Sequence, residues 1–284
     1  MIRQITIIGT GLIGGSFALA VRRAGFAGQI VGCDSPAVLD QALAMKAIDR
    51  GSVDPVDAGR GSQLIVLATP VGAVIDLIRT LGPGLANHAL LTDVGSTKSE
   101  IQKTAARILG DRAAQNFLGG HPMAGKERSG LENVDATLFD DATWFLTPMK
   151  GCNPAIAPVA DFLKLLKTIG ARTSTMEADQ HDRLCAWISH VPQMLSTALA
   201  ATLVEEFGDQ LPLLDAGGRA LREMTRISSS PYSVWRDIAL TNKNNLAEAL
   251  LRLEQRLAHI RENLGTRELE AEFEQAHRLR KSAK

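Results

Sequence analysis

The chain has 284 residues, of which 45% are hydrophobic, and 31 Lys and Arg balance 31 Asp and Glu. That length suits two ordinary domains with a core that needs no disulfide staples. A neutral chain generates no global field to recruit nucleic acid or an anionic membrane, so its partner is sought as a small molecule at a local site. Cys33, Cys152 and Cys185 lack disulfide or metal-ligand spacing, no apolar run reaches the length of a membrane span, and the first residues enter a strand without a signal peptide. The expectation is a cytoplasmic protein with no metal.

Ile5-Thr6-Ile7-Ile8 reads as a strand, Gly9-Thr10-Gly11-Leu12-Ile13-Gly14 as a glycine turn, and Phe17, Ala20, Val21 and Ala24 as the inner face of a helix. Gln29–Cys33 is a second strand that ends in Asp34. Gly9 permits the tight turn, Gly11 admits a pyrophosphate to the backbone amides, and Gly14 lets the helix lie close to the sheet. Leu12 and Ile13 belong to the same loop. Asp34 stands about 20 residues on, where a carboxylate accepts hydrogen bonds from a ribose 2′-hydroxyl and repels a 2′-phosphate. The residues therefore favour NAD over NADP.

Ser35-Pro36 starts a helix that runs to about Met45. Leu64-Ile65-Val66-Leu67-Ala68 has the continuous apolar character of a strand buried on both faces, and Thr69-Pro70 ends it. Ala89–Asp93 is the next strand, and Ser96 is placed to cap the helix that follows Gly95. Phe117-Leu118-Gly119 and Thr143–Thr147 read as strands, and a helix carrying Phe162 and Leu166 leads to a last strand near 171–175. Strands alternating with helices predict an α/β fold, a Rossmann-type doubly wound parallel sheet over residues 1–176. Ligands of such sheets bind at the carboxyl ends of the strands. Gly9–Gly14, Asp34, Ala68-Thr69-Pro70, Gly95, Ser96 and His121 all fall there.

Residues 177–284 show no strand pattern and predict an all-helical C-terminal domain. Pro192 lies inside a long helical stretch and predicts a kink near His190. Leu246, Leu250, Leu253, Leu257, Ile260 and Leu264 form a seam suited to packing on another helix, from this chain or a second copy. The tail from Arg267 is a charged helix.

Three clusters carry chemistry. His121, beside Gly119-Gly120 and Pro122, has an imidazole suited to accept a proton while a hydride departs. Ser96 is either a helix cap or a hydroxyl bridging cofactor, substrate and His121. Arg226 is either a surface residue or a fork gripping a carboxylate, with Glu223 in reach as its partner. Lys98 reads as solvated.

Together Gly9–Gly14 with Asp34, Asp93–Lys98, His121-Pro122-Met123-Ala124-Gly125, Ser189-His190-Val191-Pro192 and Thr225-Arg226-Ile227 with Trp235-Arg236-Asp237 resemble the prephenate/arogenate (cyclohexadienyl) dehydrogenase family of tyrosine biosynthesis. The resemblance implies oxidative decarboxylation of prephenate or arogenate with hydride transfer to NAD. It implies His121 and Ser96 as catalytic residues, and Arg226, His190 and Glu127 as substrate-binding ones. Trp235 is expected to pack behind the Arg226 loop. The resemblance also implies a homodimer formed through the helical domain. Since the chain starts at the dinucleotide strand and ends in a short charged tail, a monofunctional enzyme is expected. Two other readings stand beside it: a related two-domain dehydrogenase of 3-hydroxyacid or pyrroline-carboxylate type, and a non-catalytic NAD-binding regulator.

Overall fold

The computed structural model describes residues 2–125, 130–208 and 212–281. Its centre is an eight-stranded sheet in the order β3-β2-β1-β4-β5-β6-β7-β8. The strands are β1 (Gln4–Ile8), β2 (Gln29–Cys33), β3 (Arg50–Ser52), β4 (Leu64–Leu67), β5 (Leu90–Asp93), β6 (Phe117–Pro122), β7 (Thr143–Pro148) and β8 (Arg172–Thr175). Helices α1 (Leu12–Arg23), α2 (Pro36–Ala44), α3 (Pro55–Gly59), α4 (Val71–Leu81), α5 (Ser99–Leu109), α6 (Ala113–Asn116) and α7 (Val159–Thr168) connect them.

Alternation along each strand divides the core. Ile5, Ile7, Ile30, Leu64, Val66 and Leu90 face α1, α2 and α7, where Phe17, Phe139, Trp144 and Phe162 pack as a cluster of rings. Ile8, Val31, Ile65, Leu67 and Leu91 face α3, α4 and α5, including Val74, Ile78, Ile101 and Ala105. Each fully buried aliphatic side chain contributes about 1.5–3 kcal/mol, so both layers are needed.

The sheet differs from the sequence expectation in the direction of one strand and the length of another, and it gains the short edge strand β3. β7 runs antiparallel to β6, with His121 opposite Phe145, and β8 then runs parallel to β7. The apolar pattern of Thr143–Thr147 reports burial but carries no direction, so the Rossmann-type parallel sheet stands with one antiparallel pair, β6–β7, that the sequence did not indicate. β6 is also longer than expected and takes Gly119, Gly120 and His121 into the sheet. A Cβ on Gly119 would lie 2.4 Å from Thr147 Oγ1, and one on Gly120 2.7 Å from the Asp93 carbonyl oxygen. The glycines serve close strand packing.

The remaining chain is helical: α8 (Ala178–Cys185), a π-helical turn (Ala186–His190), α9 (Val191–Phe207), α10 (Leu213–Ala216), α11 (Gly218–Thr225), α12 (Tyr232–Thr241), α13 (Lys243–Glu262) and α14 (Glu268–Lys281). The π turn ends directly before Val191-Pro192. Pro192 lacks an N–H and its ring collides with the carbonyl one turn back, so the helix widens where the kink was expected. Among the described residues no helix is long and apolar enough to cross a membrane.

Two helix N-termini join the halves. Asp237 of α12 accepts a hydrogen bond from Gly72 N (2.9 Å) in the first turn of α4. Asp182 of α8 accepts from Lys98 N (2.7 Å) and Ser99 N (2.9 Å) at the start of α5. Each carboxylate supplies the anion that the positive end of a helix favours. Thr97 and Thr241 add a hydroxyl pair at 2.7 Å. These contacts fix the helical part over the carboxyl ends of β4 and β5.

Candidate active site

A cleft of about 360 Å³ opens between the halves. Leu12, Ile13, Ala68, Thr69, Pro70, Gly95 and Ser96 line it from the sheet side, and Pro231, Val234, Trp235 and Ile238 from the helical side. The glycine turn has the shape that a dinucleotide requires. Gly9 has φ +91°, and a Cβ there would meet the Ala68 carbonyl oxygen at 2.5 Å; over Gly11 nothing lies within 4 Å. The first turn of α1 is thus open to a pyrophosphate. Thr69 Oγ1 is buried here without a hydrogen-bond partner among the described residues, as a group reserved for a ligand is. Asp34 closes β2 and accepts from Thr10 N and Ser35 N, both at 2.8 Å, which ties the glycine turn to the second strand. These residues fit a nicotinamide dinucleotide.

Below the cleft three histidines meet. His121 Nδ1 lies 2.9 Å from His181 Nε2, and His181 Nδ1 lies 2.9 Å from Asp182 Oδ1. Cys185 Sγ is 3.4 Å from His181 Nε2. His121 Nε2 carries no hydrogen bond among the described residues. His190, at the end of the π turn, receives a hydrogen bond on Nδ1 from Asn242 Nδ2 (3.2 Å). Asn242 also donates to the Asp182 carbonyl oxygen at 2.7 Å. With Nδ1 accepting, the His190 proton resides on Nε2, and that atom is buried with no partner among the described residues. Trp235 packs nearly perpendicular to His190, 5.9 Å between ring centroids, and so links this histidine to the cleft wall.

Burial keeps all three rings neutral. It pushes His121 well below the usual histidine range, and positive charge on His181, on Lys98 or on His190 would add to that; with both neighbouring rings neutral, the Lys98 ammonium is the one that acts. Burial lowers His181 against the opposing pull of Asp182, and brings His190 to about 4. Burial would raise Asp182, but hydrogen bonds from His181 and from the Ser99 and Lys98 amides outweigh it and hold the carboxyl below its ordinary value. Burial, with Asp182 nearby, takes the Cys185 thiol up to about 12, so it stays protonated. The His121, His181 and Cys185 ligand atoms lie within 4.8 Å of one another.

A consequence for stability follows. Unfolded histidines bind protons near 6.5, whereas buried His190 does so near 4. Between those values the unfolded state holds more protons, so stability falls as pH falls, by up to about 1.4 kcal/mol per pH unit for each such ring. Thermal melts between pH 7.5 and about 4.5 should therefore show full stability at the upper end and a decline beginning near pH 6.5. A melting temperature flat across that range would contradict the neutral cluster.

Several expectations change. Ser96 does not cap α5, which begins at Ser99 and takes its cap from Asp182. Ser96 is half-buried on the cleft wall, and His121 is held by His181 instead. Lys98 is not solvated: it is fully buried, ion-paired with Asp93, and donates to the Gly120 carbonyl oxygen at 2.6 Å. Trp235 forms part of the cleft wall. Arg226 opens a 3-10 turn (Arg226–Ser229) that buried Gln193 pins to α9 through the Ile227 carbonyl oxygen, 2.9 Å. Glu223 accepts from Arg219 Nε at 2.7 Å. Glu127 lies outside the described residues. His181 and Asp182 went unnoticed in the sequence, because an Asp in a polar helix reads as a solvated charge. Their place one turn before Cys185 and two before His190 was the available signal.

Residues 17–174 match the family model of the prephenate dehydrogenase nucleotide-binding domain, and residues 177–278 that of the prephenate dehydrogenase dimerization domain. The chain is 31% identical to the prephenate dehydrogenase of Lactococcus lactis subsp. cremoris, over 99% of this chain and 77% of that protein. It is similar to the crystal structure of prephenate dehydrogenase from A. aeolicus in complex with hydroxyphenyl propionate and NAD+, with a TM-score of 0.85 and 30% identity over 100% of this chain and 96% of that one. It is also similar to Synechocystis arogenate dehydrogenase, with a TM-score of 0.79 and 27% identity over 99% of this chain and 100% of that one.

Proposed function

This chain belongs to the prephenate dehydrogenase family, and from that premise we propose that it oxidises prephenate, arogenate or both with loss of carbon dioxide, using NAD. The observation that carries the reading is His121, a buried neutral imidazole whose Nε2 meets no hydrogen-bond partner among the described residues, at the carboxyl end of β6, one strand over from the β5 end that carries Gly95 and Ser96 into the cleft. Such a group takes up a proton and supplies none, as oxidation of an alcohol requires.

NAD, when bound, supplies the hydride acceptor. His121 Nε2 accepts the proton of the substrate's C4 hydroxyl as that carbon gives up hydride. Ser96, on the cleft wall, hydrogen-bonds the same hydroxyl and fixes its direction. His190 Nε2–H, buried and unpartnered, donates to a substrate oxygen; satisfying it on binding removes the desolvation cost that an orphan donor carries. Arg226 grips the ring carboxylate that departs as carbon dioxide, and rearomatisation drives the reaction forward. Trp235 and Ile238 give the cleft an apolar wall, which disfavours water beside the reacting carbon. Glu127 is assigned a secondary polar role at the entrance. Asp34 selects NAD through the ribose 2′-hydroxyl. Residues 1–176 thus hold the cofactor, and residues 177–284 shape the substrate pocket and form a homodimer. Leu246, Leu250 and Leu253 of the seam pack inside the chain, while Leu257 and Leu264, seven residues apart, stand exposed and are left for a second copy.

The test is formation of reduced cofactor by purified protein supplied with prephenate or arogenate, each with NAD and with NADP. Turnover of either substrate with NAD supports the reading, and the ratio of kcat/KM values ranks the two. Absence of turnover in all four combinations overturns it, and preference for NADP overturns the role of Asp34. Arg226→Ala is expected to raise KM by at least about tenfold with a smaller change in kcat, since a charge-assisted hydrogen bond is worth about 1.5–3 kcal/mol. An unchanged KM removes Arg226 from the carboxylate site.

A further inference from the structure

We propose that Asp182 and His181 form a positioning pair behind His121, fixing the tautomer that leaves Nε2 as the base and stabilising the imidazolium formed in the reaction. The proposal rests on His121 being the proton acceptor. The tautomers follow from Asp182 outward. Its carboxylate is committed as an acceptor, with Oδ1 taking Lys98 N and Oδ2 taking Ser99 N. At 2.9 Å from Oδ1, His181 Nδ1 must carry a proton, because two bare acceptors at that distance repel. Neutral His181 then presents Nε2 as a lone pair. At 2.9 Å from that lone pair, His121 Nδ1 must carry its proton in turn, which leaves His121 Nε2 unprotonated. A carboxylate that also caps α5 therefore dictates which nitrogen of a strand residue does the chemistry.

The charges around the pair support the second half of the proposal. Among the described residues the groups around His121 are His181 and Cys185 from α8, Lys98 just before α5 with its partner Asp93 at the end of β5, and His190 from the π turn, with Asp182 behind His181. His190 is neutral and Cys185 is a thiol. Among the described residues one buried ammonium thus stands against two buried carboxylates. A proton moved from the substrate hydroxyl to His121 Nε2 brings this cluster to neutrality. Asp182 remains a carboxylate throughout; no proton passes to it, and the imidazolium proton is later returned to water. Cys185 Sγ, 3.4 Å from His181 Nε2, packs against the pair without taking part in the transfer.

Two measurements test this, and the first needs no substrate. Long-range proton–nitrogen spectra of histidine-labelled protein should show His121 and His181 as Nδ1–H tautomers. In Asp182→Asn, or in His181→Leu, His121 should redistribute toward Nε2–H. A His121 already Nε2–H in the unmodified protein overturns the proposal whatever the enzyme turns over. The second is kinetic. His181→Gln keeps an acceptor for His121 Nδ1–H but cuts the path to Asp182; kcat should fall on the order of tenfold, and the acid limb of kcat/KM should move to lower pH. His181→Leu should lose on the order of 10³-fold. In both variants substrate KM and NAD affinity should hold. An unmoved acid limb in His181→Gln with kcat within twofold overturns the proposal, as does a fall in kcat that tracks a fall in melting temperature. If the unmodified protein has no activity, the proposed function fails, and the spectra still decide the tautomers.

Discussion

His121→Asn is expected to cut turnover by about 10²–10⁴-fold while NAD affinity stays nearly intact, the range that loss of a general base produces. Asn fits the space and keeps a polar group near His181, yet accepts no proton. The separation of effects follows from the structure. The dinucleotide cleft is built by the glycine turn, Ala68–Pro70 and Gly95, none of which depends on the imidazole. Isothermal titration with NAD and steady-state kinetics on one preparation would show it. Retention of more than about a tenth of the activity would remove His121 as the base, and simultaneous loss of NAD binding would point to a collapsed strand.

The same geometry explains what was legible in the sequence. The glycine turn and Asp34 could be read because their constraints are local: a backbone at φ +91° and an acid at a strand end announce themselves within one β-α-β unit. Buried strands could be read because continuous apolar runs have few other uses. The direction of β7 could not, since Phe145 packs equally well beside His121 in either sense. Asp237 was noticed only as part of a motif. Its reason, a carboxylate docked on Gly72 N across 165 residues of sequence, exists only in three dimensions. The same holds for Asp182, whose hydrogen bonds reach back to Lys98 and Ser99. Charges that cap a distant helix look like surface charges until the helix is there. The positions least visible in sequence are therefore the ones that hold the two halves together over the cleft.

Lys98→Met should be the most damaging single change to stability. The ammonium and the Asp93 carboxylate are both fully buried, and Asp93 also accepts from Gly95 N at 2.9 Å. Burial lowers the Lys98 pKa, and the attraction of Asp93 opposes that loss. Removing the cation leaves Asp93 charged in a dry site, which costs about 3–5 kcal/mol, a large share of the roughly 5–15 kcal/mol that holds a domain folded. Denaturant unfolding should show that loss. The double variant Lys98→Met with Asp93→Asn should recover most of it, because the stranded charge goes with its partner. A loss below about 1 kcal/mol for the single variant would mean that the pair is solvated. Activity reports the same residue independently. Lys98 holds the Gly120 carbonyl oxygen, one residue before His121, and its charge helps push the His121 imidazole below the usual histidine range. Without it, the His121 pKa should rise, and the acid limb of kcat/KM in the surviving folded enzyme should move to higher pH. That direction is opposite to the shift expected when His181 is cut off from Asp182. The two variants bracket the base from its positive and negative neighbours, so limbs moving the same way would break the electrostatic account of the site.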